Sequence, residues 1–378
     1  MNSRQQHIET LLFGKPDRIP LSPGAGREST RARWHKEGLP AEIDDAQSIT
    51  EYAYRQAGGK EELTRYEASF AVNERMIPEF EEKIIERKER SQIVQDWKGN
   101  ICEISNEFTL EHLRNATDFV TRRWIKCPVE NRDDWEEIKT RYNPDDTSRL
   151  PAKPKELAAK LADRNEFMVV GFSGPFWQLR EWLGFENLCM MLHDDPDFIQ
   201  DMITFWSDYV AGLMENTFQH FIPDGIHLSE DMAYKSFSMI SPAMAKQFLL
   251  PVWKRWGDIL RKAGVPTYGM DSDGFIGELI PLWIEAGINY CDPIEVAAGN
   301  DIVEMRKKFG KKMAFCCGFD KRCIAAGGEE LENEYKRIEP VIKDGGFLPG
   351  CDHGVPSDVS WPNFVKYSGL IAKGTGWL

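Results

Sequence analysis

GIHLSE (225–230), SPAMAKQFLLPVWKRWGDILRKAG (241–264) and VPTYGMD (265–271) follow one another as strand, helix and strand, and this unit sets how the rest of the chain reads. The two short runs have the length and apolar character of buried strands. Between them, Ser241 and Pro242 supply an N-cap and a first-turn proline, and Gly264 closes the helix. A strand that returns through a helix to another strand builds a parallel sheet.

The rhythm continues on both sides. EFMVVGFSG (166–174) precedes the unit, and INYCDP (288–293), KMAFCCG (312–318) and GGFLPGC (345–351) follow it. A helix over 195–221 repeats Phe198, Met202, Phe205, Tyr209, Leu213 and Phe218 at helical spacing, a stripe for packing on a sheet. DIVEMRKKFG is capped by Asp301 and ended by Gly310. RIPLSP (18–23), with EASFAV (67–72) as a further candidate, brings the strand count close to eight. That count favours a closed (β/α)8 TIM barrel of the α/β class, and the residues leave an open doubly wound sheet as the alternative. Residues 76–126 break the rhythm: EKIIERKERSQIVQDWKGNICEI alternates apolar and polar residues around Lys98, Gly99 and Asn100, as an antiparallel hairpin does. The expected organisation is one barrel domain over 1–378 with a hairpin insertion at 76–126.

At 378 residues the chain is long enough for such a barrel with insertions. No apolar run is long enough to span a bilayer and no basic-then-apolar leader opens the sequence, so the expectation is a cytoplasmic protein. A net charge of -14 disfavours a phosphate backbone as partner, which argues against nucleic acid. Eight cysteines without a CxxC pair suggest reduced thiols rather than a disulfide framework or zinc ribbon.

Active sites of parallel barrels lie at the carboxyl ends of the strands. Here those ends read SED (229–231), DSDG (271–274), CDPIE (291–295), CGFD (317–320) and CDHG (351–354). Carboxylates crowded together need protons, a cation or basic groups to coexist, and a divalent metal is the economical answer. Asp271, Asp273, Cys351 and His353 are the candidate ligands, with zinc the expected ion. Glu230, Asp231 and His227 are the candidate catalytic groups; for His227 a satisfied core histidine is an equal alternative. Asp292, Glu295 and Asp320 read as helix caps or solvated acids, and Cys316 and Cys317 as buried strand cysteines. The segment FSGPFWQLREWLGF (172–185) offers Phe172, Phe176 and Trp177 as pocket walls and Arg180 for a substrate carboxylate, although aromatic packing alone produces the same pattern. Tyr234 joins them as a candidate substrate contact.

RQQHIETLLFGKPDRIPL, LREWLGFENLCMMLHDDPDFIQDMI, HLSEDMAYKSFSMISP, SDG and PGCDHGVPSDVSWPNF together resemble the uroporphyrinogen decarboxylase superfamily over nearly the whole chain. The likeness is strongest to its methyltransferase-like branch, which includes zinc methyltransferases serving corrinoid proteins. The resemblance implies a (β/α)8 barrel. The arginine-led stretch with which the true decarboxylases grip a porphyrinogen is reduced here to PGAGRES (23–29), with Pro23 in the leading place and Arg27 retained, which argues against an octacarboxylate substrate. Zinc enzymes of the branch that methylate thiols use an HxC pair and a distant cysteine; Asp271, Asp273 and Cys351 stand in those places.

Oxygen donors in place of softer ligands shift the expectation toward a methyl group linked to oxygen, transferred to a corrinoid with Glu230 or Asp231 protonating the leaving oxygen. The chain lacks the DxHxxG signature of corrinoid domains, so the corrinoid would come on a partner protein. Relatives are often dimers, and a homodimer is among the expected partners, although no surface stripe here independently marks an interface. The runner-up function is a metal-free decarboxylase or lyase acting on a small carboxylic acid. A noncatalytic binding protein on the same scaffold is the third reading.

Overall fold

The computed structural model describes residues 1–64, 69–115 and 120–378. Among the described residues, ten strands form two sheets, numbered in chain order. β1 (Lys83–Arg87), β2 (Ser91–Gln95), β3 (Ile101–Ser105) and β4 (Arg122–Lys126) make an antiparallel sheet in sequential order. β5 (Val169–Ser173), β6 (Gly225–Ser229), β7 (Thr267–Asp271), β8 (Tyr290–Asp292), β9 (Ala314–Cys316) and β10 (Phe347–Leu348) make a parallel sheet, also sequential. Helices occupy every crossover of the parallel sheet, so each strand is laid beside the last in the same direction.

Local chemistry explains where these helices start and stop. Ser241 Oγ accepts from the Met244 amide at 3.2 Å, and Gly264 ends the helix with φ of 77°. Between these caps the helix widens into a π turn at Ala245–Leu249, just before Pro251, whose missing N–H leaves a carbonyl one turn back without its donor. Asp301 caps the next helix by accepting from the Val303 and Glu304 amides at 2.8 and 3.1 Å. In helix Pro196–Phe218, Phe198, Met202, Tyr209 and Leu213 are buried, while Phe205 and Phe218 pack at the margin of the core.

The core lies between the parallel sheet and its helices. Val170, Phe172, Ile226, Leu228 and Met270 project from the sheet to meet Trp206, Trp253 and Trp256. Alternate residues of the same strands face the other way, where Gly171, Ser173, His227 and Ser229 are incompletely buried.

Among the described residues neither of the two further strands expected near the start is present, and the sheet is open rather than a closed barrel. RIPLSP carries Pro20 and Pro23, which deny the ladder two of its donors. The segment instead lends carbonyls to the edge beyond β10: the Cys351 amide donates to Pro23 O, the Val355 amide donates to Ala25 O, and Gly26 bridges Val355 in parallel. EASFAV lies partly outside the described residues. Its remainder, 69–72, forms no strand, and Phe70 stacks on Phe221 at 4.9 Å.

β2 and β3 pair antiparallel around the turn at 96–100. Asp96 organises that turn by accepting from the Lys98 and Asn100 amides. No helix among the described residues is long and apolar enough to cross a membrane.

Candidate active site

Register decides which strand-end residues share a surface. Ser173, Ser229, Asp271 and Asp292 stand side by side on β5, β6, β7 and β8. Two residues earlier on each strand lies a second row: Gly171, His227, Gly269 and Tyr290. Neighbours in a row are about 4.8 Å apart.

Gly269 matters for what it leaves empty, because a Cβ there would sit 2.2 Å from the Tyr290 ring. The missing side chain lets that ring lean across β7 and stack on His227, with centroids 5.5 Å apart. His227 Nε2 in turn bonds Asp292 Oδ1 at 2.8 Å. Burial alone would depress the imidazole's pKa, but the Asp292 charge, its hydrogen bond and the nearby Asp271 together raise it. Asp271 is pushed up to about 7, first by burial and then by the charges of Asp292, Asp273 and Asp231, with His227 partly opposing. A histidine that gains protons beside a carboxyl that keeps one is the equipment of acid catalysis near neutral pH.

Glu230 follows β6 but faces the helices. It is 0% exposed; Oε1 accepts from Trp253 Nε1 at 2.7 Å and Oε2 from the Trp177 amide at 3.1 Å. Burial raises it to about 7 against those hydrogen bonds. Gly174 permits this arrangement, because a Cβ there would lie 2.1 Å from the Glu230 carboxyl carbon. In this position Glu230 ties the start of helix Pro175–Leu183 to Trp253 rather than facing the row of Asp271.

Asp231 adopts a φ of 41° and holds Arg180, whose two Nη atoms reach its carboxylate and its carbonyl at 2.9 Å each. Burial raises the Asp231 carboxyl despite that guanidinium. The arginine expected to bind a substrate carboxylate is therefore engaged internally, lying over the Trp177 ring at 4.5 Å.

The expected metal ligands do not assemble. His353 Nε2 lies 3.4 Å from Asp273 Oδ1, and that hydrogen bond leads the causes that raise its pKa. Cys351 is 1% exposed, and burial pushes its thiol to about 12, so it stays protonated. Among the described residues no three histidine, cysteine or carboxylate side chains are grouped to hold a metal ion. The residues as arranged do not fit zinc.

Of the three acids read as caps, Asp320 is one, accepting from the Arg322 amide. Glu295 instead accepts from the Gly274 amide at 2.9 Å, and Asp292 belongs to His227. Cys316 is buried and Cys317 partly so, at a positive φ of 70°.

Among the expected substrate contacts, Phe172 and Phe176 are core residues, each 2% exposed. Tyr234 is 52% exposed and lines a shallow cavity of about 270 Å³ with Asp273 and Glu295. Trp177 lines a larger cavity of about 460 Å³ whose base includes Gly171 and Ser173. Glu74 also lines it; its two carboxylate oxygens accept from the Ser173 amide and hydroxyl at 2.8 and 2.7 Å. Neither Glu74 nor the Asp292–His227 pair is marked by any motif; the period-2 register of the strands is the only signal that could have put Asp292 beside His227.

No protein-family model matches the chain and no curated protein does. A solved structure described as a methyltransferase from Methanosarcina mazei is similar over 99% of each chain, with a TM-score of 0.61 and 13% identity. A B12-independent methionine synthase from Shewanella sp. W3-18-1 is similar over 95% of this chain and 97% of that one, with a TM-score of 0.43 and 10% identity. The first likeness shows a shared fold spanning the whole of both chains, on which the row of Ser173, Ser229, Asp271 and Asp292 is displayed.

Proposed function

We propose that this chain is a methyltransferase that takes a methyl group from a small methoxylated donor and delivers it to a corrinoid carried by a partner protein. The observation that carries the reading is the Asp271, Asp292 and His227 group on neighbouring strands, one to three strands from a cavity large enough for a small donor. The motif resemblance and the fold shared with a structure described as a methyltransferase support it.

In this reaction the bond between the methyl carbon and the ether oxygen breaks, and its electron pair stays with the oxygen. Protonated Asp271 gives its proton to that oxygen, so the donor leaves as an alcohol or phenol. The methyl carbon bonds to the electron pair of the reduced corrinoid. Asp292 holds the His227 ring in place beside Asp271, and the positive charge on that imidazole steadies the carboxylate that remains.

The test is incubation of the protein with methoxylated arenes and a reduced corrinoid protein, following the methylcorrinoid spectrum. Transfer that needs the chain is the expected result; no transfer across a broad donor panel would refute the reading.

A second reading is favoured by the failure of the metal ligands to group. A carboxyl held near 7 can equally protonate the carbon left when a small acid loses carbon dioxide. Carbon dioxide release without methylcorrinoid formation would select it.

A further inference from the structure

The 460 Å³ cavity on the β5 side of the sheet is not accounted for by the proton chemistry of Asp271 and His227. Part of its wall is already filled. The Lys98 ammonium, bound to Glu181 at 2.6 Å, lies 5.3 Å from the Trp97 ring centre and 5.9 Å from that of Trp177, and so holds the space between the two indoles. The base is different: Gly171 and Ser173 form it from β5, with Glu74 on Ser173 and Gln178 on the helix that follows. Apart from its chain neighbours, a Cβ at Gly171 would meet only the His227 carbonyl, at 3.8 Å, among the described residues, so the sheet surface there is open.

Glu74 is fixed at both ends. Its carbonyl accepts from the Tyr209 hydroxyl at 3.1 Å, and its Oε2 and Oε1 accept from the Ser173 amide and hydroxyl at 2.8 and 2.7 Å. A carboxylate has about four acceptor positions, so each oxygen keeps one for a donor arriving from the cavity that Glu74 lines. Charge limits what that donor is. Burial raises the Glu74 carboxyl's pKa, with the Ser173 hydrogen bonds and the Lys98 and Arg75 charges opposing. A second anion at this point is repelled by Glu74, and a cation is repelled by Lys98 and Arg75. A hydroxyl carries no charge, donates to the carboxylate in a charge-assisted bond, and accepts in turn from an amide such as that of Gln178.

We propose that the base of this cavity binds a neutral polyhydroxylated molecule of the sugar or cyclic polyol class, with one hydroxyl on Glu74 and another on Gln178. The volume is ample for a monosaccharide ring. Ser173 stands two strands, about 10 Å, from Asp271, so a ring held at Glu74 extends along the inner face toward the acid. The inference rests on the proposed function only in taking this ligand to be the alcohol part of the methyl donor; the binding site itself does not depend on it.

The experiment is titration of the full chain by calorimetry with glucose, galactose, mannose, xylose and myo-inositol, and with cyclohexanol as a ring bearing one hydroxyl. At least one of the five polyols binds, and cyclohexanol binds about tenfold more weakly or worse. Glu74→Gln keeps the tie to β5, because the amide oxygen still accepts from the Ser173 N–H and the amide nitrogen donates to the hydroxyl; it weakens the bound polyol by about tenfold. Gln178→Ala, a half-buried position on a helix, weakens it by about fivefold, and unaltered melting curves show that both variants fold. Failure of all five polyols to bind, cyclohexanol binding as tightly as the best of them, or polyol binding indifferent to both substitutions overturns the proposal. Polyol binding without any methyl transfer would leave this site standing and refute only the transfer reading. Transfer from methoxylated arenes by a chain that binds none of the polyols would do the reverse.

Discussion

Glu230 and Asp271 emerge from adjacent strands so close together that the Glu230 amide donates to the Asp271 carbonyl, and both carboxyls are held near 7. One faces the helix layer and the other the inner row of the sheet. On the helix side, tryptophan and helix-start N–H groups satisfy both oxygens of Glu230. On the inner side, Asp271 meets the charges of Asp292, Asp273 and Asp231 with only His227 to offset them. Similar proton affinity thus has two origins. Burial with hydrogen bonds makes a structural tie, and burial with unneutralised charge makes a group ready to give up a proton.

Exchanging the two carboxyls for neutral groups is the way to break this comparison. Asp271→Asn, which keeps shape and removes the acid, is expected to cut turnover by about 10²–10⁴-fold with the fold intact, read as the initial rate of product formation. The wild-type rate is expected to fall as pH rises through about 7, because the acid must be protonated to act. A rate that Asp271→Asn leaves unchanged would remove Asp271 from the chemistry.

Glu230→Ala should show the opposite pattern. It strands the Trp253 indole N–H and the Trp177 amide in a dry interior and opens a void, an expected loss of about 2–4 kcal/mol in denaturant unfolding. Full stability in this variant would mean that the helix side does not need the carboxyl.

The smallest expected effect sharpens the contrast through pH. Asp271 has a folded pKa above its unfolded value near 3.8, so the folded state binds the proton more tightly. Its contribution favours folding at low pH and is lost as pH rises from about 4 through about 7. Asp271→Asn is therefore expected to gain on the order of 1–2 kcal/mol at pH 8 and to flatten the decline of stability with pH. Unfolding curves at pH 5 and 8 check this; equal gains at both values would contradict it.

The sequence made these two sides only partly legible. Apolar runs bounded by glycine, proline and acids located β5 to β10, because a strand covered by helices must be apolar nearly throughout. Closure was misread at RIPLSP: hydrophobic content suggested a strand, but Pro20 and Pro23 cannot donate to a ladder. In the site, residue types at strand ends pointed to Asp271 and His227 but could not separate Glu230 from them, since one step of strand parity moves a side chain to the opposite face. Asp292 was read as a cap because its partner lies 65 residues away, a pairing that only register reveals.

The carbonyls that Pro23 and Ala25 lend to the turn at Cys351 and Val355 have a consequence for how the protein is made. Tyr367 donates to Pro23 O and Trp377 to Ile19 O across 344 and 358 residues of chain. Contacts of such span carry the largest loop-closure entropy, so they are expected to form late. Until residues 351–377 have been synthesised and have met 19–26, the turn that bears His353 lacks its anchor. Closure of this side of the sheet is therefore expected to trail the pairing of neighbouring strands, whose contacts span far shorter lengths of chain.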